Sequence, residues 1–217
     1  MKLTWMAHSC FNIILENGTK IVFDPFDNTI GYELPVLEAD IALISHDHFD
    51  HNDVSRLSGD YTLIREAGEY TVGDVKIRGI KTYHDPEQGA LRGENIVFIV
   101  EAEGIRIAHL GDLGEMPSEE FYKELGKVDI LLTPVGSVYT INGAQAYQIC
   151  RKIDPNIIIP MHYKTLSLTT PLESVQKFLI EAVGYYDISR LGNDTLKLEA
   201  SNLKKRTRVI VMQPKLD

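Results

Sequence analysis

Ser45-His46-Asp47-His48-Phe49-Asp50-His51-Asn52 is the stretch that decides the reading of this chain. Three imidazoles and two carboxylates fall within the six residues from His46 to His51, enough ligand to begin two metal sites at once. Only 7 of the 217 residues are histidine, so this concentration is not what an even scatter would give. Imidazole and carboxylate together suit Zn²⁺, Mn²⁺ or Fe, whereas Mg²⁺ and Ca²⁺ prefer oxygen alone. The plainer alternative is a polar loop whose histidines cap a helix.

Immediately upstream, Ile41-Ala42-Leu43-Ile44 is a continuous apolar run of the kind buried on both faces of a sheet. The cluster therefore follows the C-terminal end of a buried strand, the edge at which open α/β folds place their chemistry. Toward the N-terminus, residues 3–6 and 11–15 read as strands. Asn17-Gly18 then turns the chain into a strand at 20–23, which Asp24-Pro25 stops. Toward the C-terminus, strands are expected at 75–80, 96–100 and 105–110, the last two joined through Glu103-Gly104. A helix is expected from a Ser118 cap to residue 125, with Glu119 and Glu120 at its positive end. Residues 130–132 follow as a strand. A helix over 144–153 has Asn142 as its cap and Ala146, Tyr147, Cys150 and Ile153 as its apolar stripe. The strand 157–159 is closed by Pro160. A third helix begins near Pro171 and carries Leu172, Val175, Phe178, Leu179 and Ala182, and closing strands fall at 196–198 and 209–211. Strand-rich halves with late helices suggest two sheets in contact with helices outside. With no linker or repeat, one domain over residues 1–217 is the simplest organisation.

Three later segments set chemistry at further strand ends: His84-Asp85, Gly111-Asp112 and His162. A lone histidine after a strand is more often a capping group than a ligand. The cluster at 46–51 changes that balance, because its coordination needs partners from elsewhere in the chain.

His46-x-His48-x-Asp50-His51, then His84, Asp112 and His162, resembles the ligand set of the metallo-β-lactamase superfamily in order and rough spacing, over about residues 1–165. Ala7-His8-Ser9-Cys10-Phe11, Arg92-Gly93-Glu94-Asn95, His109-Leu110-Gly111-Asp112 and Pro160-Met161-His162-Tyr163 further resemble one branch of it. That branch holds ascorbate-6-phosphate lactonase-like and N-acylphosphatidylethanolamine phospholipase-like hydrolases. The resemblance implies an α+β fold, an αββα sandwich of two mixed sheets with helices outside, and a binuclear site at one edge. It assigns His46, His48 and His84 to a first metal, Asp50, His51 and His162 to a second, and Asp112 to a bridge between them. Two divalent ions are implied, zinc foremost, with manganese or iron as alternatives.

The expected reaction is metal-dependent hydrolysis of an ester, lactone or phosphodiester. A hydroxide bridging the two ions is available near neutral pH, because water on Zn²⁺ has a pKa of ~7. Asp50 is the candidate catalytic residue, orienting the nucleophile or accepting its proton. The ions outweigh the carboxylates, so the substrate is expected to be small and anionic. Lys164, Tyr139 and His8 are candidate substrate-binding residues. Each has a plainer reading: an exposed loop charge for Lys164, an ordinary loop aromatic for Tyr139, and a structural role in the first hairpin loop for His8. His109 reads either as a partner of the ligands or as a satisfied core histidine, and Asp47 and Asp85 as neighbours of ligands. Two other functions remain open. A di-iron redox protein on the same fold would need electron delivery, for which the chain has no flavin or haem appendage. A non-catalytic metal-binding protein would more often use a closed, Cys-rich site.

Composition narrows the partners. Hydrophobic residues make up 44% and charged residues 24%, ordinary proportions that supply a core. A net charge of −9 argues against nucleic acid, whose binders carry basic patches. The one basic run, Lys204-Lys205-Arg206 with Arg208, reads as a solvated turn between two strands. No apolar stretch approaches the ~18 residues that span a bilayer, and there is no amphipathic basic helix, so no membrane partner is expected. The first residues lack the apolar core of a secretory signal. Cys10 and Cys150 read as buried thiols. Cytoplasm is the expected compartment.

Overall fold

The computed structural model describes residues 1–203 and 206–216. In chain order the strands are β1 (Lys2–Ala7), β2 (Cys10–Ile14), β3 (Lys20–Phe23), β4 (Leu37–Glu38), β5 (Ile41–Leu43), β6 (Leu57–Ser58), β7 (Thr62–Ile64) and β8 (Gly68–Val72). They continue as β9 (Val75–Tyr83), β10 (Glu94–Ala102), β11 (Ile105–His109), β12 (Ile130–Pro134), β13 (Ile157–Met161), β14 (Asp187–Arg190), β15 (Thr195–Lys197) and β16 (Arg208–Val211). The helices are α1 (Glu119–Leu125), α2 (Gly143–Ile153) and α3 (Gln176–Ala182). One sheet has the order β15-β1-β2-β3-β5-β7 and the other β14-β16-β13-β12-β11-β10-β9-β8, with β4 and β6 pairing apart. Both large sheets mix parallel and antiparallel neighbours.

Alternation along the strands builds the layers. Leu3 and Trp5 of β1, Phe11 and Ile13 of β2, and Ile21 and Phe23 of β3 point into a core shared with the second sheet, where Phe98, Val100, Ile107 and Leu132 lie on the same face as His109, whose ring meets Phe11 and Phe23. The intervening residues Met6, Cys10 and Val22 point the other way. There they pack under Phe26, Ile30, Tyr32, Leu34, Leu168 and Leu172 in a second apolar cluster. The central strands β12 and β13 are buried along their whole length, as strands with a sheet on one side and helices on the other must be. Each fully buried Leu, Ile or Phe contributes about 1.5–3 kcal/mol by leaving water, so this alternation fixes the register.

Local signals act as expected in most places. Ser118 Oγ accepts from the Phe121 N–H to start α1, and Asn142 and Gln145 form a reciprocal capping box on α2. Glu103 and Gly104 both adopt left-handed backbone in the β10–β11 hairpin. Cys10 and Cys150 are free and buried. Among the described residues no helix is long and apolar enough to cross a membrane.

Three readings are corrected. The third helix begins at Gln176, not near Pro171. Backbone bonds from Glu173 N to Gly136 O and from Lys164 N to Glu173 O tie the preceding segment to neighbouring loops instead. The strand at 157 is not closed by Pro160 but runs to Met161. Its neighbour β16 pairs only with Ile157 and Ile158, so a residue without an N–H is tolerated beyond them. The strands β4, β6, β7, β8 and β14 are not among those expected. β4 and β6 have only two residues each, and β7, β8 and β14 lie at sheet edges with much of their length exposed, so they lack a strong apolar pattern. Within the basic run, Lys204 and Lys205 lie outside the described residues, while Arg206 pairs with Asp187 at 3.4 Å.

Gly136, just after β12, is packed so closely that an added Cβ would lie 2.0 Å from the His162 carbonyl oxygen. Gly136→Ala must therefore displace the turn that presents His162. Overpacking of this kind costs about 1–3 kcal/mol. Thermal denaturation should show that loss, and metal affinity should fall with it. Wild-type stability in the variant would show that the turn is not constrained from this side.

Candidate metal centre

The site is assembled at the C-terminal ends of strands. His8 follows β1, Asp24 follows β3, His46 to His51 follow β5, His84 follows β9, and Asp112 and His162 follow β11 and β13. His8, Asp24 and His162 have φ of 54°, 44° and 50°, in the left-handed region that side chains other than Gly seldom occupy. Backbone bonds hold these turns: Asp24 N to Leu43 O at 3.0 Å, His162 N to His8 O at 3.1 Å. The Trp5 indole also donates to His8 O at 3.0 Å. Strain of this kind persists only where surrounding packing over-determines it, and it gathers at functional sites.

All seven expected ligands converge. Asp112 Oδ2 lies 3.0 Å from His162 Nε2, 3.3 Å from His51 Nε2, 3.4 Å from His84 Nε2 and 4.0 Å from His46 Nε2. Two groups have potential ligand atoms all within 4.8 Å of one another: His46, His48 and His84, and separately His8, Asp50, His51 and His162. His46, His51 and Asp112 form a third group that joins them. Among the described residues, Nε2 of His46, Nε2 of His51 and Oδ1 of Asp112 are buried without a hydrogen-bond partner. Buried polar atoms left unpaired are costly, and divalent ions bound by these groups would satisfy them. The donor set, nitrogen with carboxylate oxygen, also matches the borderline transition metals, so the residues fit a metal pair.

A buried carboxylate behind the cluster sets its tautomers. Asp24 Oδ2 accepts from His51 Nδ1 at 2.9 Å and from Ser45 Oγ at 2.7 Å, and Oδ1 accepts from Ser45 N at 2.8 Å. Ser45 Oγ in turn accepts from His46 Nδ1 at 2.9 Å. One acid thus keeps protons on the outer nitrogens of both imidazoles and leaves their Nε2 lone pairs for the site. Asn95 does similar work for Asp112. Its Oδ1 accepts from Asp112 N at 2.9 Å while its amide donates to Thr82 Oγ1 and Leu110 O. Sequence reasoning treated Asp24 only as the end of a strand. The strand-end rule that singled out His84 and Asp112 applies to it equally.

The cluster opens into a cavity of about 340 Å³ lined by His48, Phe49, Asp50, His84, Arg92, Asp112, Tyr139, His162 and Thr170. Tyr139 is thus in the wall. Lys164 is not, since its ammonium donates to the Leu168 carbonyl. His8 is buried beneath the cavity rather than lining it, with Nε2 3.1 Å from Asp50 Oδ2. His109 is a satisfied core histidine. Nε2 donates to Ser9 O at 2.9 Å, Nδ1 accepts from Gly111 N at 3.1 Å, and the ring stacks on Phe23. Asp47 hydrogen-bonds Asn52 outside the cluster, and Asp85 accepts four backbone N–H groups of its own loop.

Without ions, burial and the neighbouring charges of the cluster shift its groups in opposite directions. Burial and the neighbouring His51 push His46 well below 6.5, and burial pulls His84 down. Burial and His162 lower His8 to about 4 against the pull of Asp50. His51 goes the other way: burial opposes its charge, but Asp112 and Asp50 outweigh burial and raise it well above 6.5. Burial would raise Asp112, yet His162 and His51 hold it well below the carboxylate range. Burial would likewise raise Asp50, but His51 and His8 hold it below the usual carboxylate range.

A family model described as a beta-lactamase superfamily domain matches residues 2–162. The chain belongs to that superfamily, the metallo-β-lactamases and their relatives. A UPF0173 protein of Pyrococcus furiosus is 32% identical over 196 residues, 80% of this chain and 88% of its own. A UPF0173 metal-dependent hydrolase of Thermoplasma acidophilum is 30% identical over 215 residues, 87% of this chain and 94% of its own. A crystal structure from Thermotoga maritima, described as a candidate Zn-dependent hydrolase of the same superfamily, superposes with a TM-score of 0.79. It shares 38% identity, with 97% of each chain covered. These relatives agree with the expected fold, an α+β sandwich of two mixed sheets, and set the chain among metal-dependent hydrolases.

Asp24→Asn keeps the shape of the side chain but removes one acceptor oxygen. We expect metal affinity about 10–100-fold weaker, measured by competition with a chromogenic chelator; unchanged affinity would remove Asp24 from its positioning role. The metal-free protein should also be most stable near neutral pH. His8, His46 and His84, with lowered values, contribute stability above about 6.5 that is lost as pH falls through their folded values, about 4 for His8. His51, with a raised value, contributes stability below about 6.5 that is lost as pH rises through its folded value. Thermal midpoints of chelated protein should fall on both sides of neutrality, and a midpoint insensitive to pH there would contradict these shifts.

Proposed function

We propose that the protein is a hydrolase whose centre is a pair of divalent ions, zinc foremost, acting on an ester, lactone or phosphodiester of a small anionic substrate. The observation that carries this reading is the double ligand group around Asp112 on the floor of an open cavity. His46, His48 and His84 would hold one ion, Asp50, His51 and His162 the other, with Asp112 shared. Bound there, such ions supply a water that ionises near neutral pH and polarise the electrophilic oxygen. A closed structural site would leave no room for substrate; this one opens directly into the cavity.

The chain's own residues supply the rest. Asp50 is half-buried, lines the cavity and is held ionised, so it can orient a nucleophilic water and take its proton. His8 Nε2, 3.1 Å from Asp50 Oδ2, fixes that carboxylate from below. Phe49 and Tyr139 provide apolar wall that limits the water around the reacting group. Two divalent ions outweigh Asp50 and Asp112, which favours an anionic substrate and a developing oxyanion.

The test is elemental analysis of purified protein, then a screen of lactones, esters and phosphodiesters with the preferred metal restored. Two zinc or manganese ions per chain and turnover abolished by chelation are expected; redox-active iron with a visible spectrum would favour oxidative chemistry instead. Asp50→Ala should cut turnover by at least about 100-fold with the fold retained, in line with loss of a general base. Near-normal turnover in that variant would overturn its role.

A further inference from the structure

The wall of the cavity contains one cation among the described residues, Arg92. Its guanidinium is held by neutral groups. Cζ lies 5.7 Å from the centre of the Tyr139 ring, and Nη2 lies 3.5 Å from the Val138 carbonyl oxygen. Of the nine arginines, Arg56, Arg78, Arg106 and Arg206 face a carboxylate; Arg151 lies over the Tyr147 and Tyr185 rings, and it, Arg190 and Arg208 line neither this cavity nor the next. Arg92 has no carboxylate partner among the described residues. It also borders a second cavity of about 380 Å³, which shares His48 with the first and is lined further on by Arg65. Arg65 too has no carboxylate partner among the described residues. Two acids border that outer cavity, and both are otherwise engaged: Glu94 pairs with Lys81 and Asp47 with Asn52.

The parts that hold Arg92 are fixed. Buried Asp85 accepts from the N–H groups of Glu87 at 2.8 Å, Gly89 at 3.0 Å, Leu91 at 3.0 Å and Arg92 itself at 2.7 Å. On the other side, Ser137 and Val138 have φ of 56° and 59°, an unusual conformation for a β-branched residue. That turn aims the Val138 carbonyl and the Tyr139 ring at Arg92. A guanidinium so placed keeps its charge and most of its donors for a ligand, and its planar fork matches the oxygens of a carboxylate or phosphate.

We propose that Arg92 determines specificity by anchoring a carboxylate or phosphate that the substrate carries apart from its scissile bond, with Arg65 as an outer contact for the same anion. This rests on the hydrolase reading and names the substrate class more narrowly: a hydrolysable ester or lactone with an anionic tail. The reacting group lies over the His and Asp cluster, and the tail runs past His48 toward the joint between the two cavities.

The experiment uses the full chain with its metal restored and three activated esters: 4-nitrophenyl butyrate, which is neutral, the mono-4-nitrophenyl ester of glutarate, and the 4-nitrophenyl ester of 4-phosphonobutyrate. The second and third distinguish a carboxylate from a phosphate-like tail. At least one charged tail should raise kcat/KM about 10-fold or more over butyrate, chiefly through KM, as one charge-assisted contact allows. Arg92→Gln should bring that ratio close to one, Arg92→Lys should retain part of it, and Arg65→Gln should lower it less. Calorimetric binding of glutarate gives a readout independent of turnover and should weaken about 10-fold or more in Arg92→Gln. If butyrate is turned over with no preference for a charged tail, or if the preference survives Arg92→Gln, the assignment fails and the hydrolase reading stands. If no ester is hydrolysed, the ester form of the hydrolase reading fails. Glutarate binding then decides the Arg92 anion site separately, and equal binding by wild type and Arg92→Gln overturns it.

Discussion

Four imidazole nitrogens crowd within 4.0 Å of a single oxygen of Asp112, and the rest of the molecule exists to make that crowding tolerable. Asp112, His51, His84 and His162 are almost wholly buried, where an unpaired charge is expensive. Each is held by something outside the cluster or by another member of it. Asn95 fixes the Asp112 backbone, Asp24 fixes His51 and reaches His46 through Ser45, and His8 fixes Asp50. Taking away one partner of such a set strands the others, at a cost of about 3–5 kcal/mol for a buried ion pair. The cluster is therefore a unit.

The sandwich supplies what this unit needs. Six strands, three from each sheet, end along one edge and deliver a side chain there without any long mobile loop. Their apolar alternation locks register, so a ligand placed one residue past a strand end cannot drift to the opposite face. The left-handed turns at His8, Asp24 and His162 convert the direction of the strand into the direction of the site. Close packing of Gly136 against the His162 carbonyl and of Gly114 against the His84 carbonyl seals the turns from behind. Fold and site are in this sense one problem: the same hydrophobic burial that defines the strands sets the positions of the ligands.

Much of this was legible in the sequence because it rests on short-range signals. The apolar run at 41–44 followed by His46 to His51 announced a strand end with ligands, and His84, Asp112 and His162 repeated the pattern. The caps at Ser118 and Asn142 marked helix starts correctly. What was missed depends on long-range geometry. Asp24 looks like a strand stop until the fold brings it against Ser45 and His51, residues 21 and 27 positions away. His8 was weighed as a pocket residue, but its contact with Asp50 spans 42 positions and lies below the cavity. Lys164 follows His162 closely, yet the turn directs its ammonium to Leu168. Pro171 looked like a helix start, but ties between Lys164, Glu173 and Gly136 take the chain elsewhere first.

The division between what could and could not be read follows the division of labour in the site. Ligands sit on strand ends, where sequence pattern and backbone direction are coupled, so reaction chemistry leaves a visible mark. The cavity walls come from Phe49, Arg92, Tyr139 and Thr170, none of them within a strand or helix. Their positions depend on turns such as Ser137-Val138 and on the Asp85 loop, which no periodicity announces. A wall built this way can change its charge and shape without disturbing the sheets beneath. The metal-binding floor and the substrate-selecting wall are thus physically separable, and relatives that share the floor need not share a substrate.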